Sequence, residues 1–300
     1  MIGKDFIYNS NTIPYTTAQG VAAGWLAFFD WATPEARNSQ IPRQDFHGVI
    51  SSPTFMEGRL IGIDGQIFNT SKTSRGTIRK TIQDIFKFES FPDEDNEFKR
   101  LEFTDDDGAD WFILCKLRSA LEFSHEPGES IISFSGELFA EDPLIRSSAL
   151  QSVNGNYGRL GGVNLEVNLP LSMNQVINGF TASNDGNIAA PTKVTITAVT
   201  DTIVNPKIMN YTTGKFYKVE TTLAVGEQLV IDSGLLGEKP SVTKIDAFGT
   251  STAIGASRAA GSNLIYVIPG SNTFVLLGDN FDIDAQTKAT AKIEYYHTRQ

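Results

Sequence analysis

The sequence predicts a mainly β protein of two domains, with one α-helix in the first domain and a β-sandwich in the second. Runs of β-branched and aromatic residues recur along the 300 residues, separated by turn-forming Gly, Pro, Asn and Asp. One amphipathic pattern interrupts these runs in the first half. The two halves also differ in charge, which indicates two domains with different surroundings.

The charge difference is large. Residues 1–155 carry 23 Asp and Glu against 14 Lys and Arg, whereas residues 156–300 carry 12 against 11. We predict a first domain at 1–150 and a second at 181–300, joined by a linker and crossing segment at 151–180 that is dense in Gly, Asn and Ser. The acidic first half disfavours nucleic-acid binding, which requires clustered Lys and Arg.

A helix is predicted in the first half where four apolar residues share one stripe: Ile78, Ile82, Ile85 and Phe86. Ser71 or Ser74 is the expected cap at its start. Asp107-Gly108 predicts a hairpin turn between two strand runs. The strand runs of this half are 26–31, 45–51, 59–69, 98–103, 110–117 and 130–141.

The second half shows strand patterns without a competing helix pattern. In TKVTITAVT (192–200), Val194, Ile196 and Ala198 alternate with polar residues, as in a strand with one buried face. Short strand runs follow at intervals of ~8–12 residues, which is typical of a β-sandwich. Predicted turns between them include Thr213-Gly214, Val225-Gly226 and Pro269-Gly270.

No catalytic, cofactor-binding or metal-binding residues are predicted. His47, His125 and His297 match no metal-ligand spacing, and no GxSxG nucleophile motif occurs. Glu137 and Glu141 on one strand are expected ~13 Å apart, too far for a retaining glycosidase pair. The contiguous carboxylates at 105–107 do not fit an EF-hand, so we favour a solvated turn over a calcium site.

Cys115 lies in an apolar strand run, and as the one cysteine it excludes an internal disulfide. No stretch approaches the ~20 apolar residues of a membrane helix. The first ten residues lack the apolar region of a secretory signal. We therefore expect a chain that folds in a reducing cytoplasm and has no membrane partner.

Residues 56–69, MEGRLIGIDGQIFN, pose a choice between a phosphate-binding loop and a structural strand. Gly58, Gly62 and Gly65 fit neither GxGxxG nor GxxxxGK[ST]. The flanking isoleucines are strand formers, and no helix pattern begins where a phosphate loop requires one. We therefore favour a strand at this position.

Several motifs occur in a characteristic order. GRLIGIDGQIFN (58–69) and the helix that follows precede FSGELFAEDPLIRS (134–147). The stretch 186–232, which begins GNIAAPTKVTI, and IPGSNTFVLL (268–277) come later, whereas GWLAFFDW (24–31) has no counterpart in the pattern. The ordered set spans most of the chain and resembles the distal tail proteins of siphophages, the Dit or phage tail component family.

The resemblance implies an N-terminal split β-barrel with one α-helix and a β-hairpin, and a C-terminal galectin-like β-sandwich. It further implies a homohexameric ring that serves as a structural hub between the tail tube and the tail-tip, lysin, fibre or baseplate proteins. Receptor-binding proteins are further expected partners, and DNA passes through the ring. The expected location is the virion tail, assembled in the host cytoplasm, without enzymatic activity or cofactors.

On this interpretation the glycines of 58–65 allow bulges or close approach of a neighbouring backbone. Arg59 becomes an interface or structural ion-pair residue. The predicted interface residues are Gly58, Arg59, Gly62, Gly65, Trp25 and Trp31, although the two tryptophans equally suit core packing.

Two further hypotheses follow from the sequence. The acidic first halves of a ring would form a collar, part of which faces the lumen and repels passing DNA. The alternative function is a carbohydrate-binding sandwich that aids host-surface adsorption. Its candidate aromatic residues are Phe216, Tyr217, Tyr266, Tyr295 and Tyr296.

Overall fold

The computed structural model describes residues 6–14, 23–34, 36–37, 40–42, 49–51, 55–68, 71–87, 98–125, 131–157, 179–279 and 289–300. The chain divides into two compact units, Met1–Ser148 with Gln300, and Ala149–Arg299. Over the described ranges the structure is mainly β with one α-helix, so the predicted fold class is confirmed. No helix in these ranges combines the length and apolar character needed to cross a membrane.

The described strands of the first unit are β1 Phe6–Tyr8, β2 Asn11–Ile13, β3 Trp25–Trp31, β4 Ala36–Arg37, β5 Gln40–Pro42, β6 Val49–Ser51, β7 Phe55–Met56, β8 Arg59–Ile67, β9 Lys99–Thr104, β10 Asp110–Ser124, β11 Ile132–Ala140 and β12 Ile145–Ser147. Seven of them follow the order β2-β1-β9-β10-β11-β8-β3 in one sheet, with β12 beside β10. Strands β4 and β7, and β5 and β6, form small separate pairs.

Strand β10 connects two parts of this sheet. Its first half pairs with β9, and its second half pairs with β11, with register shifts between Leu117 and Glu122. Such bulges bend a strand and increase its twist. The sheet consequently curls, and aromatic rings from strands distant in the sheet order meet. The centroids of Trp31 and Phe103 lie 4.7 Å apart.

The curled sheet stays open in the described part of the chain. Strands β2 and β3, at the two ends of the order, do not pair with each other. A backbone hydrogen bond from Ala27 N–H in β3 to the carbonyl of Pro14, the residue after β2, links these two ends at 3.0 Å. The arrangement is therefore an open, split form of a barrel and not a closed cylinder.

Helix α1 (Lys72–Ile85) packs on this sheet through the predicted apolar stripe. Ser71 is its N-cap, and the Ser71 hydroxyl accepts a hydrogen bond from Ser74 N–H. Ile82 and Ile85 are buried. At the end of the helix, the ring of Phe86 stacks on that of Tyr8 with a centroid distance of 5.2 Å.

The described strands of the second unit are β13 Gln151–Tyr157, β14 Gly179–Asn184, β15 Ala190–Ala198, β16 Ile203–Val204, β17 Lys207–Asn210, β18 Lys215–Lys218, β19 Thr222–Leu223, β20 Gln228–Asp232, β21 Ser241–Ile245, β22 Ser251–Ala253, β23 Tyr266–Val267, β24 Gly270–Leu277, β25 Ala289–Tyr295 and β26 Thr298–Arg299. One main sheet has the order β13-β25-β15-β20-β21-β22, the other main sheet has β14-β24-β17-β18, and β16 and β19 form a small separate pair.

The two sheets of the second unit share one apolar core. Val194, Ile196 and Ala198 are buried as predicted, in the same core as Phe180 and Phe274 of the other sheet. This is the packing of a β-sandwich. Residues 151–157, inside the predicted linker, form β13 and pair with β25, whereas 158–178 lie outside the described residues.

Buried asparagines hold the turns of the sandwich. The Asn272 side chain is fully buried; its amide N–H groups donate to the carbonyls of Ile268 and Gly270, and its oxygen accepts from Ile268 N–H. The same oxygen accepts a hydrogen bond from the side chain of Asn210, whose own oxygen accepts Thr213 N–H. Because a buried amide must be satisfied, these residues fix the predicted Pro-Gly and Thr-Gly turns.

Two glycines with open space around them are predicted to respond oppositely to alanine. Gly76 lies inside α1, so Gly76→Ala should raise the free energy of unfolding of the first unit by ~1 kcal/mol. Gly108, at φ +81°, turns the β9–β10 hairpin, so Gly108→Ala should lower it by ~1 kcal/mol.

Denaturant unfolding monitored by tryptophan fluorescence measures both changes, because all three tryptophans lie in the first unit. Equal effects of the two substitutions would contradict this assignment of backbone conformation.

Candidate functional site

Strand β8 carries the predicted interface stretch and lies between β3 and β11. Its odd-numbered residues from Arg59 to Ile67 face inward and are buried. Its even-numbered residues face outward. Trp31 pairs with Ile61 and Trp25 with Ile67, so both tryptophans share the inward face.

At two of the three glycines, Gly58 and Gly65, an aromatic ring from β11 occupies the space that a side chain would fill. A Cβ at Gly65 would overlap the ring of Phe134 and lie 2.6 Å from the Leu26 carbonyl. A Cβ at Gly58 would lie 2.5 Å from the ring of Phe139. At Gly62 the nearest atom, in Asp30, is 3.6 Å away, which is ordinary contact. The predicted close approach of a neighbouring strand is therefore present at Gly58 and Gly65.

The tryptophans contribute to packing inside the unit. Trp25 is 5% exposed, and its ring centroid lies 6.2 Å from that of Phe134. Trp31 is partly buried, and its indole N–H has no hydrogen-bond partner among the described residues. The structure thus gives Trp25 a core position, and a subunit contact by either tryptophan stays a prediction.

Arg59 is buried, and the described residues supply no counter-charge to it. It is 5% exposed, and among the described residues its Nε has no hydrogen-bond partner and no carboxylate forms an ion pair with it. Burial lowers the pKa of the Arg59 guanidinium because water is removed from the charged group. Arg146, by contrast, is 1% exposed and pairs with Asp142 while donating to the Leu144 carbonyl.

The outward face of the same strands forms a groove of about 590 Å³. One row across four strands consists of Phe28, Asp64, Ser135 and Glu122, as the strand registers show. A neighbouring row consists of Leu26, Gln66, Ser133 and Ser124. The Phe28 ring is 46% exposed. We call this surface the outward groove.

The sequence did not identify the outward groove. In WLAFFDW, aromatic residues occupy both faces of β3, so alternation of apolar and polar residues gives no clear inward side. The register with Asp64 and Gln66 assigns Phe28 and Leu26 to the outward face. Asp30, on that face, is the one signal in the stretch.

The other candidate residues take structural positions. Glu137 pairs with Arg118 at 3.5 Å and Glu141 with Lys116 at 2.8 Å. Cys115 is buried as predicted, and burial raises the pKa of its thiol. Among the described residues no group of His, Cys, Asp and Glu is arranged to hold a metal ion. His47 lies outside the described residues.

The acidic triplet forms the predicted turn of the β9–β10 hairpin. One carboxylate oxygen of Asp105 accepts hydrogen bonds from the N–H groups of Asp107 and Ala109. The other accepts the indole N–H of Trp111 at 2.8 Å. The carboxylate of Asp105 therefore holds the turn by an internal set of bonds.

The sandwich aromatics considered for sugar binding do not share one exposed face. Tyr217 and Tyr295 are each 3% exposed, and the Tyr295 hydroxyl donates to the Ser183 carbonyl. The Lys207 ammonium lies 4.2 Å from the centre of the Phe216 ring. A stacking platform needs open ring faces, so Phe216, Tyr217 and Tyr295 do not provide one.

The fold is similar to that of the Dit protein of phage SPP1, which is described as a paradigm of the hub adsorption apparatus in phages that infect Gram-positive bacteria. The TM-score is 0.61, the identity 9%, and the likeness covers 98% of both chains. At this identity it shows a shared fold.

Two structures of the phage P2 baseplate in its activated conformation, with Ca and with Sr, match less well. Their TM-scores are 0.43 and 0.42, at 9% and 8% identity over 97% of each chain. The evidence for a shared fold therefore comes from the comparison with the SPP1 protein. No family model matches the sequence, and no curated protein matches it.

Alanine substitutions at Gly65 and Gly62 of β8 should distinguish the effect of the close contact with neighbouring strands from the effect of strand propensity. Gly65→Ala should lower the free energy of unfolding of the first unit by ~1–3 kcal/mol, because neither the buried Phe134 ring nor the Leu26 carbonyl can move aside cheaply. Gly62→Ala, in the same strand with ordinary contacts, is the matched control and should change it by less than ~0.5 kcal/mol.

Tryptophan fluorescence in a denaturant titration reads both variants. A Gly65→Ala protein as stable as the Gly62→Ala protein would show that the space between β8 and β11 can accommodate a side chain at position 65.

Proposed function

We propose that this chain is the hub subunit of a long, non-contractile phage tail. The likeness to SPP1 Dit over 98% of the chain carries this proposal, because it includes both units in one order. The motifs at 58–69, 134–147, 186–232 and 268–277 support it independently of the coordinates.

The proposed assembly is a homohexameric ring made by the first unit. The second unit would be a galectin-like sandwich. The tail tube, tail-tip or lysin and fibre proteins, and receptor-binding proteins are the proposed partners. DNA would pass through the centre, and the acidic first half would limit its adhesion there.

The split form of the barrel supports self-association. An open sheet leaves strand edges that must be covered, and a closed ring of copies covers every edge at once. The alternative, carbohydrate binding by the sandwich, loses support because two of its candidate tyrosines are buried.

The oligomeric state tests the proposal directly. Native mass spectrometry of the purified full chain should give a species of about six times the 32.8 kDa chain mass, and negative-stain images should show rings. A chain that stays a single subunit at every concentration would overturn the ring.

Arg59 offers a second test, since we propose that a carboxylate of the neighbouring copy pairs with it in the ring. Arg59→Met removes a buried charge that has no described partner, so the monomer should keep or gain stability in the free energy of unfolding. The same variant should weaken the ring.

Arg146→Met is the matched control, because it breaks the pair between the buried Arg146 and the partly exposed Asp142 and should lower the free energy of unfolding. Denaturant titration of the monomer and mass measurement of the assembly separate the two effects. A destabilised Arg59→Met monomer would instead assign Arg59 a structural pair within its own chain.

A further inference from the structure

We infer that successive copies meet head to tail, with the outward groove of one copy receiving the exposed face of helix α1 of the next. This inference rests on the proposed ring. It names the two surfaces in contact and their charges.

The two surfaces lie on opposite faces of one sheet. Phe123 and Glu122 are neighbours in β10, so their side chains point to opposite sides. The Arg79 guanidinium of α1 lies 4.6 Å from the centre of the Phe123 ring, whereas Glu122 belongs to the row of the outward groove. One copy therefore presents the groove on one side and the helix on the other.

The groove is acidic and partly apolar. Asp64 and Glu122 are exposed, and neither forms an ion pair with a described residue. Between and beside them lie Phe28, which is 46% exposed, and Leu26. An exposed apolar strip bordered by carboxylates suits a partner that brings alkyl stems and positive charges.

The exposed face of α1 has that chemistry. Lys72 and Lys80 lie on the side of α1 away from Ile82 and Ile85, Lys87 follows the end of the helix, and all three are exposed. Asp84 is the one acidic residue between 71 and 87. The helix therefore carries a positive surface in a unit whose overall balance is negative, and Lys and Arg stems can cover the apolar strip.

Such a contact joins two different surfaces. Contacts of this type repeat from copy to copy and close into a ring when the rotation permits, unlike a two-fold contact that ends at a dimer. Complementary charge then sets the order and spacing of copies. The contact between the outward groove and α1 thus explains how identical chains form a ring and not a dimer.

Charge reversal tests this contact. The groove variant is Asp64→Lys with Glu122→Lys, and the helix variant is Lys72→Glu with Lys80→Glu. Each variant alone should weaken assembly by at least ~10-fold in apparent dissociation constant, measured by sedimentation velocity. All four positions are exposed, and unchanged tryptophan-monitored unfolding will establish that each variant folds.

The decisive arm mixes the two variants in equal amounts. In an alternating ring every junction pairs either two native surfaces or two reversed surfaces, so the mixture should assemble, and native mass spectrometry should show three copies of each. Combining all four substitutions in one chain should also restore the ring. Lys215→Glu with Lys239→Glu, in the second unit, is the control and should leave assembly unchanged.

The outcomes separate a failure of the groove–helix contact from a failure of the proposed ring. If the native chain forms rings and both reversed variants do too, the groove–helix contact is overturned while the ring stands. Loss of the ring in each variant without rescue in the mixture also overturns the pairing. A native chain that never assembles contradicts the proposed function itself.

Discussion

The close approach of β11 to β8 is the constraint on which the first unit depends. The Phe134 ring occupies the space where Gly65 has no side chain. The same ring packs within 6.2 Å of Trp25 and 5.8 Å of Phe123, measured between centroids. Phe123 in turn contacts Arg79 of α1. The absence of a side chain at Gly65 thus links the register of β8 and β11 to the packing of α1 on the sheet.

In the described part of the sandwich, a glycine again leaves space for an aromatic ring, and hydrogen bonds of buried asparagine side chains hold the loops. A Cβ at Gly155 in β13 would overlap the Phe180 ring from the facing sheet. Close packing of this kind holds two sheets together without directing the loops, since apolar contact is not directional. Direction comes from buried amides. Asn184 donates to the carbonyls of Ile188 and Val267, and its oxygen accepts the N–H groups of Gly186 and Thr298, which joins three segments at one point.

Two buried arginines of the first unit, Arg59 and Arg146, differ in whether a described residue compensates their charge. Arg146 satisfies its guanidinium within the segment that follows the Asp142-Pro143 motif, so that motif has a structural explanation. Arg59 has no such partner among the described residues, and a buried cation without a counter-charge carries a desolvation cost. This contrast, and not the burial of Arg59 alone, makes Arg59 a candidate for contact with another molecule.

The sequence by itself determined the local elements. The stripe from Ile78 to Phe86 predicted α1, Asp107-Gly108 predicted a hairpin, and Val194, Ile196 and Ala198 predicted a buried strand face, because these signals lie within a few residues of each other. The mainly β fold with one helix follows from such signals. The short strands β1 and β2 were missed, since three residues carry too little pattern.

The tertiary structure alone decided which residues meet across strands. No periodicity reveals that Phe134 fills the space beside Gly65, that β10 serves two parts of a sheet, or that Arg59 is buried without a described partner. The same holds for the outward groove, because its row of Phe28, Asp64 and Glu122 comes from three strands far apart in sequence. Register depends on long-range pairing, and a shift of one residue would reverse every face.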